Sequence, residues 1–337
     1  MKFKAIAQLR TRQQFLEHLD SLPQAFSFKL AQTLEIKPFL QSYKLKNGFT
    51  IGNRFCIHPM EGWDGTSDGR PTVHTIRRWE NFGKSGAKLI WGGEAVAVMR
   101  EGRANPNQLM LNDSTVPEIK HLLDALKGTH HEAGFSTDDL YVGLQLTHSG
   151  RFSRPNIKTK LEPKILYHHP YLDAKFGIHP DAPILTDDEI KEIIHRFIDS
   201  AILAEKIGFD FVDVKHCHGY LGHEFLTARE PNGEYRGSFE NRTRFLREIV
   251  AGIRKHTNLN IGVRLSGFDL IAFSPARDSN IGHPVGSVNY PKPFGADASD
   301  LVKLDLSETK QFLALLQDLN IELVNITAGS PYYNPHI

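Results

Sequence analysis

The chain has little cysteine: Cys56 and Cys217 are the two thiols in 337 residues. Two thiols cannot make a disulfide framework, which excludes a small stapled secreted fold and fits a reducing, cytoplasmic compartment. It has no excess of charge of either sign. Forty Lys+Arg against thirty-nine Asp+Glu leave a formal +1, so nothing draws the chain to nucleic-acid phosphates. No apolar run reaches membrane-spanning length. The opening stretch, MKFKAIAQLRTRQQ, lacks the apolar core of a secretory signal. Gly-x-Gly-x-x-Gly, the Walker lysine loop and Gly-x-Ser-x-Gly are all missing, so a Rossmann dinucleotide domain and an α/β-hydrolase have no support. His223-Glu224 does not extend to H-E-x-x-H, because position 227 is Thr.

What is present is an alternation. Apolar residues make up 40% and charged residues 23%, ordinary globular proportions. Residues 4–20 read as a short amphipathic helix. Leu45-Lys46-Asn47-Gly48 reads as a hairpin turn, since Asn-Gly favours type I′ geometry. Short apolar runs at 54–58, 87–91, 141–146, 209–214, 259–265 and 322–326 suit buried parallel strands. Helical patterns lie near 72–84, 115–132, 187–207, 239–256 and 308–319. Thr186-Asp187-Asp188-Glu189 is a capping box, Ser114 and Ser307 are N-cap candidates, and Gly208 marks a helix end. The alternation predicts a parallel sheet with helical crossovers, doubly wound or closed as a barrel. Two long connections, 148–185 and 267–304, interrupt it, and connections of that length usually carry function.

The strand ends are polar. His58-Pro59-Met60-Glu61 follows the first strand and Gly92-Gly93-Glu94 the second. The third contains Gln145 and leads to His148 and Arg151. The fourth runs into Lys215-His216-Cys217-His218-Gly219-Tyr220, and the fifth contains Arg264. A parallel barrel builds its reaction site from these C-terminal ends, which makes them the candidate site. Asp213 and Lys215 share one face of a strand, with Val212 and Val214 on the other. The valines are expected against the outer helices and the charged pair inside the barrel, as an ion pair or as site residues. His216 and His218 could ligate zinc, so a metal-dependent barrel hydrolase is an alternative, although no further ligand is placed by the sequence. Cys217 between them reads as a buried, inert thiol.

Taken together these segments resemble the old yellow enzyme family, the FMN-dependent NADH:flavin oxidoreductases that include dienoyl-CoA reductases. The resemblance is carried by Asn53-Arg54-Phe55 through Pro59-Met60, by Gln145-Leu146-Thr147-His148-Ser149-Gly150-Arg151, and by Gly208-Phe209-Asp210 through His218-Gly219-Tyr220-Leu221 to Phe225-Leu226. It continues through Arg236-Gly237-Ser238-Phe239-Glu240-Asn241-Arg242 and Val263-Arg264-Leu265-Ser266. It implies a (β/α)8 TIM barrel over 45–337, with 1–44 as a helical N-terminal extension. It implies FMN at the mouth and NADH or NADPH as reductant. By position, Pro59 and Met60 line the flavin, with Glu61 and Gly93 among the cofactor contacts. Gln145 meets the pyrimidine edge. Arg264 faces the ring oxygen region where reduction places negative charge. His218 grips the substrate carbonyl and Tyr220 is the proton donor. The implied reaction carries hydride from the flavin to the β-carbon of an alkene conjugated to a carbonyl, with Tyr220 protonating the α-carbon.

Three departures from the family pattern follow. Lys215 stands where the family has its first carbonyl-gripping histidine, and His216 could take that grip through a local shift. Glu61 stands where the family has Thr or Cys, and is expected to be protonated or turned toward substrate or a basic neighbour. Finally, the chain's long loops make each βα unit roughly 45 residues, so six units use up the chain and two more would need roughly another 90, although a typical barrel needs only about 250. The barrel is therefore expected to be C-terminally incomplete, without the two strand ends that hold the FMN phosphate in the family. A truncated, non-catalytic homologue is the second alternative. Homo-oligomerisation and the substrate stay open.

Overall fold

The computed structural model describes residues 4, 6–22, 33, 35–231, 233–275, 282–286 and 288–334. They belong to two compact units, Met1–Pro38 and Phe39–Ile337, where the sequence placed the boundary after residue 44. In the first unit a short 3-10 turn, Ile6–Gln8, precedes helix α1, Arg12–Asp20. Thr11 caps α1 by accepting a hydrogen bond from Gln14 N, which is why the helix starts late in the predicted 4–20 stretch.

The second unit opens with the hairpin β1 (Tyr43–Lys44) and β2 (Thr50–Ile51). Its turn is not type I′. Gly48 N donates to Leu45 O, and Gly48 alone in the turn has positive φ, at 93°. That is a turn closed by a left-handed glycine, which spares Asn47 the strained conformation that type I′ demands.

Every apolar run then supplies a strand. These are β3 (Cys56–Ile57), β4 (Leu89–Ile90) with its continuation β5 (Ala95–Ala97), β6 (Tyr141–Thr147), β7 (Phe211–Val214), β8 (Asn260–Phe268) and β11 (Leu323–Ala328). They form one parallel seven-stranded sheet in the order β11-β8-β7-β6-β4-β3, with β5 beside β6. Sequential neighbours pairing in parallel is the strand order of a (β/α) barrel. The crossovers are α2 (Val73–Lys84), α3 (Val116–Glu132), α5 (Asp187–Ile207), α7 (Phe239–His256) and α8 (Ser307–Asp318). The capping box at Thr186 forms as predicted, and Gly208 ends α5 in the left-handed region. Ser114 and Ser307 are not caps. Ser114 bonds Asn112 instead, and Ser307 is the first helical residue, its N–H held by Asp305.

The long connections hold elements of their own. Residues 148–185 contain a 3-10 turn, Gly150–Phe152, and α4 (Pro170–Phe176). Residues 267–304 contain the hairpin β9 (Phe273–Pro275) and β10 (Gly282–Pro284). Helix α6 (Leu221–Thr227) escaped the sequence pattern because residues 221–226 are all buried, which leaves no polar face to set a period.

Alternation along the strands sorts the interior. Val212 and Val214 join the large apolar cluster with Phe197, Phe245 and Ile249 of α5 and α7, as expected. The other face carries Tyr141, Phe211 and Leu323, packed with Trp91 as a separate apolar layer. Gly143 belongs to that face for a steric reason: a Cβ there would lie 2.3 Å from the Phe211 ring. Further toward the C-terminal ends the same face turns polar, with Gln145, Asp213, Lys215, Arg264 and Asn325.

Candidate active site

The centre of the site is Glu61, in the loop after β3. Its Oε1 accepts from Lys215 Nζ at 2.7 Å and its Oε2 accepts from the Tyr220 hydroxyl at 2.7 Å. Both charged side chains are nearly enclosed, 5% exposed for Lys215 and 9% for Glu61. The Lys215 ammonium also lies 3.7 Å from the centroid of the Tyr220 ring, a close cation–π contact. Tyr332, from the segment after β11, places its hydroxyl 2.5 Å from that of Tyr220. Burial, with the Glu61 carboxylate adding to it, pushes the Tyr220 phenol well above its usual range. Glu61 is thus turned toward a basic neighbour, one of the arrangements its position demanded.

Of the two arrangements that the shared face allowed, Lys215 does not take the ion pair with Asp213. Asp213 Oδ2 accepts from Trp91 Nε1 at 2.9 Å and from Gln145 Nε2 at 2.5 Å. Its Oδ1 accepts the Arg264 backbone N–H at 2.7 Å. Three donors satisfy this buried carboxylate without a countercharge, which leaves the lysine free for Glu61. Asp213 therefore ties Gln145 to the strand that carries Arg264. The Arg264 guanidinium reaches across the sheet, its Nη1 donating to Pro59 O at 3.3 Å. Its Nε is buried and has no hydrogen-bond partner.

The turn after β7 aims the remaining groups. His218 and Gly219 both have positive φ, at 62° and 76°. That conformation is costly for a histidine and swings the chain so that Tyr220 returns over the strand ends. Ser266 Oγ accepts the His218 N–H at 3.0 Å and Ser330 Oγ donates to His218 O at 3.0 Å, which pins the turn from β8 and from the segment after β11. The His218 imidazole is lowered to about 3, first by burial and then by the charges of Lys215 and Arg264. It is a neutral ring, able to donate one hydrogen bond.

Met60 lies on the opposite wall with its side chain open, the residue being 59% exposed. Its backbone is held against the turn after β4, where Ala95 N–H donates to Met60 O at 3.2 Å. Glu94 braces the same turn by accepting Gly62 N–H at 2.9 Å while it pairs with Arg78. Gly93 packs under this turn, where a Cβ would meet the Trp79 ring at 2.9 Å.

The structure therefore brings Pro59, Met60, Glu61, Gln145, Lys215, His218, Tyr220 and Arg264 to one end of the sheet. His216 is not among them. Its ring packs between Phe245 and Phe312 with Nδ1 on Val214 O at 3.1 Å, behind the strand. It cannot replace Lys215 in a carbonyl grip, nor share a metal with His218. Among the described residues no group of three His, Cys, Asp or Glu gathers as a metal site. Cys217 is fully buried, and burial lifts its thiol to about 12. Tyr332 and the bracing residue Arg78 were not found from the sequence, and Glu94, named only as part of a polar strand end, proves to brace the turn. Tyr332 stands 112 residues from Tyr220 with no local signal to mark it.

Buried histidines give this unit an acid liability. Burial lowers His148, His169, His218 and His223 to about 3 and His216 to about 4. Once unfolded they take up protons near pH 6.5. Below that pH the unfolded chain binds more protons than the folded one, so stability falls as pH falls until the folded-state values are reached. His58 and His130, also lowered by burial, add to this. Glu94 and Asp269, raised by burial to about 7 and about 6, act in the opposite sense, as do Asp210, Asp213 and Glu224, which burial also raises. With seven imidazoles against five carboxylates, the melting temperature is expected to drop from pH 6.5 to pH 5. Calorimetry across that range checks it, and a flat profile would contradict it.

A parallel sheet in barrel order, with charged and phenolic side chains converging at its C-terminal edge, is the arrangement in which barrel enzymes build their sites. The pattern of the NADH:flavin oxidoreductase / NADH oxidase family matches residues 39–279, and the chain belongs to that family. It is 32% identical over 237 residues to an NADPH dehydrogenase of Listeria welshimeri, covering 67% of this chain and 63% of that protein. It is 30% identical to an NADPH dehydrogenase of Bacillus pumilus, covering 75% and 70%. The chain thus spans just under two thirds of the length of the Listeria relative. Among solved structures, the old yellow enzyme from Pichia has a TM-score of 0.62 at 19% identity, covering 86% of this chain and 70% of that one. The old yellow enzyme of Trypanosoma cruzi has a TM-score of 0.64 at 20% identity, covering 87% and 76%. These likenesses establish the barrel fold. Among the described residues no helix is long and apolar enough to cross a membrane.

Proposed function

We propose that this chain is the catalytic barrel of an FMN-dependent NAD(P)H oxidoreductase that reduces alkenes conjugated to a carbonyl. The observation that carries the reading is the Tyr220 phenol, held at the strand ends by Glu61 and Lys215, on the same sheet edge as Arg264. Bound FMN would accept hydride from a reduced nicotinamide and deliver it to the alkene. The chain's own residues do the rest.

The Arg264 Nε, buried and without a partner, fits a group that offers an acceptor and gathers negative charge. Pro59 and the open Met60 side chain form the apolar wall opposite, suited to a flat ring. Gln145 is held to Asp213 and so presents its amide at a fixed place. The neutral His218 ring donates to the substrate's carbonyl oxygen and makes the β-carbon more electrophilic. Tyr220 holds the proton for the α-carbon. A phenol suits this task, since it stays protonated until charge develops beside it.

Purified protein titrated with FMN tests the reading. FMN should bind with its visible absorbance perturbed, and NADPH should bleach it. Arg264→Met is expected to weaken FMN binding by about 10–100-fold, the loss of a charged hydrogen bond. It should also lower the potential of the flavin that remains. A protein that takes up no FMN removes the reading.

A further inference from the structure

Resting on that reading, we propose that Tyr332 is the proton-relay residue of this site, donating its hydroxyl hydrogen to the Tyr220 oxygen and returning a proton to it after each transfer to substrate. The direction follows from counting hydrogens. The Tyr220 oxygen lies 2.7 Å from Glu61 Oε2 and 2.5 Å from the Tyr332 oxygen. A phenol carries one hydrogen, and a carboxylate paired with an ammonium carries none. The contact with Glu61 therefore uses the Tyr220 hydrogen, because two bare oxygens would repel at that distance. The contact with Tyr332 must then use the Tyr332 hydrogen. The chain reads Tyr332 to Tyr220 to Glu61, with Lys215 closing it from the far side.

Packing suits each member to its place. Tyr332 stacks on Phe152 with ring centroids 4.2 Å apart and planes 11° from parallel, which fixes its hydroxyl. Phe152 is wholly buried. Tyr332 itself is half-buried, whereas Tyr220 is 2% exposed. Solvent protons thus reach Tyr332 more readily than Tyr220.

The step balances as proton transfer alone. The Tyr220 O–H breaks and a C–H bond forms at the substrate's α-carbon, leaving a tyrosinate. The Tyr332 O–H then breaks and the Tyr220 O–H reforms. Tyr332 regains its proton from water or a buffer acid, which is left as the conjugate base. Between these events the Lys215 ammonium, over the Tyr220 ring, offsets the negative charge.

Two measurements test the relay. In the first, protein carrying ¹³Cζ-tyrosine is titrated without cofactor, in the natural sequence and in Glu61→Gln. Removing the carboxylate should lower the pH at which Tyr220 ionises. Tyr332→Phe, alone or added to Glu61→Gln, should raise it, because a donor to the tyrosinate is lost. A downward shift means that Tyr220 donates to Tyr332, and no shift means that the two do not bond. Either result overturns the relay.

In the second, Tyr332→Phe should slow steady-state alkene reduction more than the first turnover, which uses the proton already on Tyr220. Small buffer acids should restore the loss. A loss equal in both phases and indifferent to buffer overturns the relay while leaving the function intact. If Tyr220→Phe does not slow the alkene half-reaction, the functional reading itself falls.

Discussion

Tyr220→Phe is expected to slow alkene reduction by about 10²–10⁴-fold, the usual worth of a positioned general acid. Oxidation of NADPH should be spared, because that half-reaction asks no proton of Tyr220. The contrast between the half-reactions is the informative quantity. Phenylalanine keeps the ring beneath the Lys215 ammonium and so keeps the cation–π contact of 3.7 Å. It removes only the hydroxyl that Glu61 and Tyr332 engage. Rapid mixing, first of oxidised protein with NADPH and then of reduced protein with an enone, measures each half separately. Equal slowing of both would assign Tyr220 to architecture and not to proton donation.

The second large effect is on stability. Lys215→Met should cost about 3–5 kcal/mol, because it strands the Glu61 carboxylate in a site where its side chain is 9% exposed. Glu61→Met should cost a similar amount by stranding the ammonium. The double variant should recover most of the loss, since two apolar side chains of similar volume leave no charge to desolvate. Urea unfolding of the four proteins gives the coupling energy directly. If both single variants and the double variant unfold alike, the pair is not what holds this end of the barrel. Glu61 and Lys215 together form one closed contact.

Much of the fold was legible before any coordinates. The strand at 141–147 announces itself as a short apolar run, buried throughout, and the helices at 187–207 and 239–256 do so because one-sided burial imposes a period on the chain. Helix α6 does not, because it is buried all round. The type I′ turn expected at Asn47-Gly48 failed because one left-handed glycine was enough to close it. The site was legible as a set of strand ends but not as a set of contacts. Asp213 and Lys215 are two residues apart on one face, which left open whether they pair with each other or serve the site separately. Three uncharged donors from other strands satisfied the aspartate instead. His216 looked equivalent to His218 in the sequence. The backbone turn at His218 separates them, sending one ring to the rear helices and leaving the other at the mouth.

By itself the sequence determined the class of fold, the family and the edge of the sheet where chemistry would lie. Those depend on periodicity and on motif order, which are properties of neighbouring residues. The tertiary structure alone decided which charge meets which. Glu61 finds Lys215 across 154 residues and Tyr220 across 159, and Tyr332 finds Tyr220 across 112. Contacts at such separation are set by strand register and by the angle at which each loop leaves the sheet. Neither is written in the local pattern, because both are fixed only when all the strands have packed together.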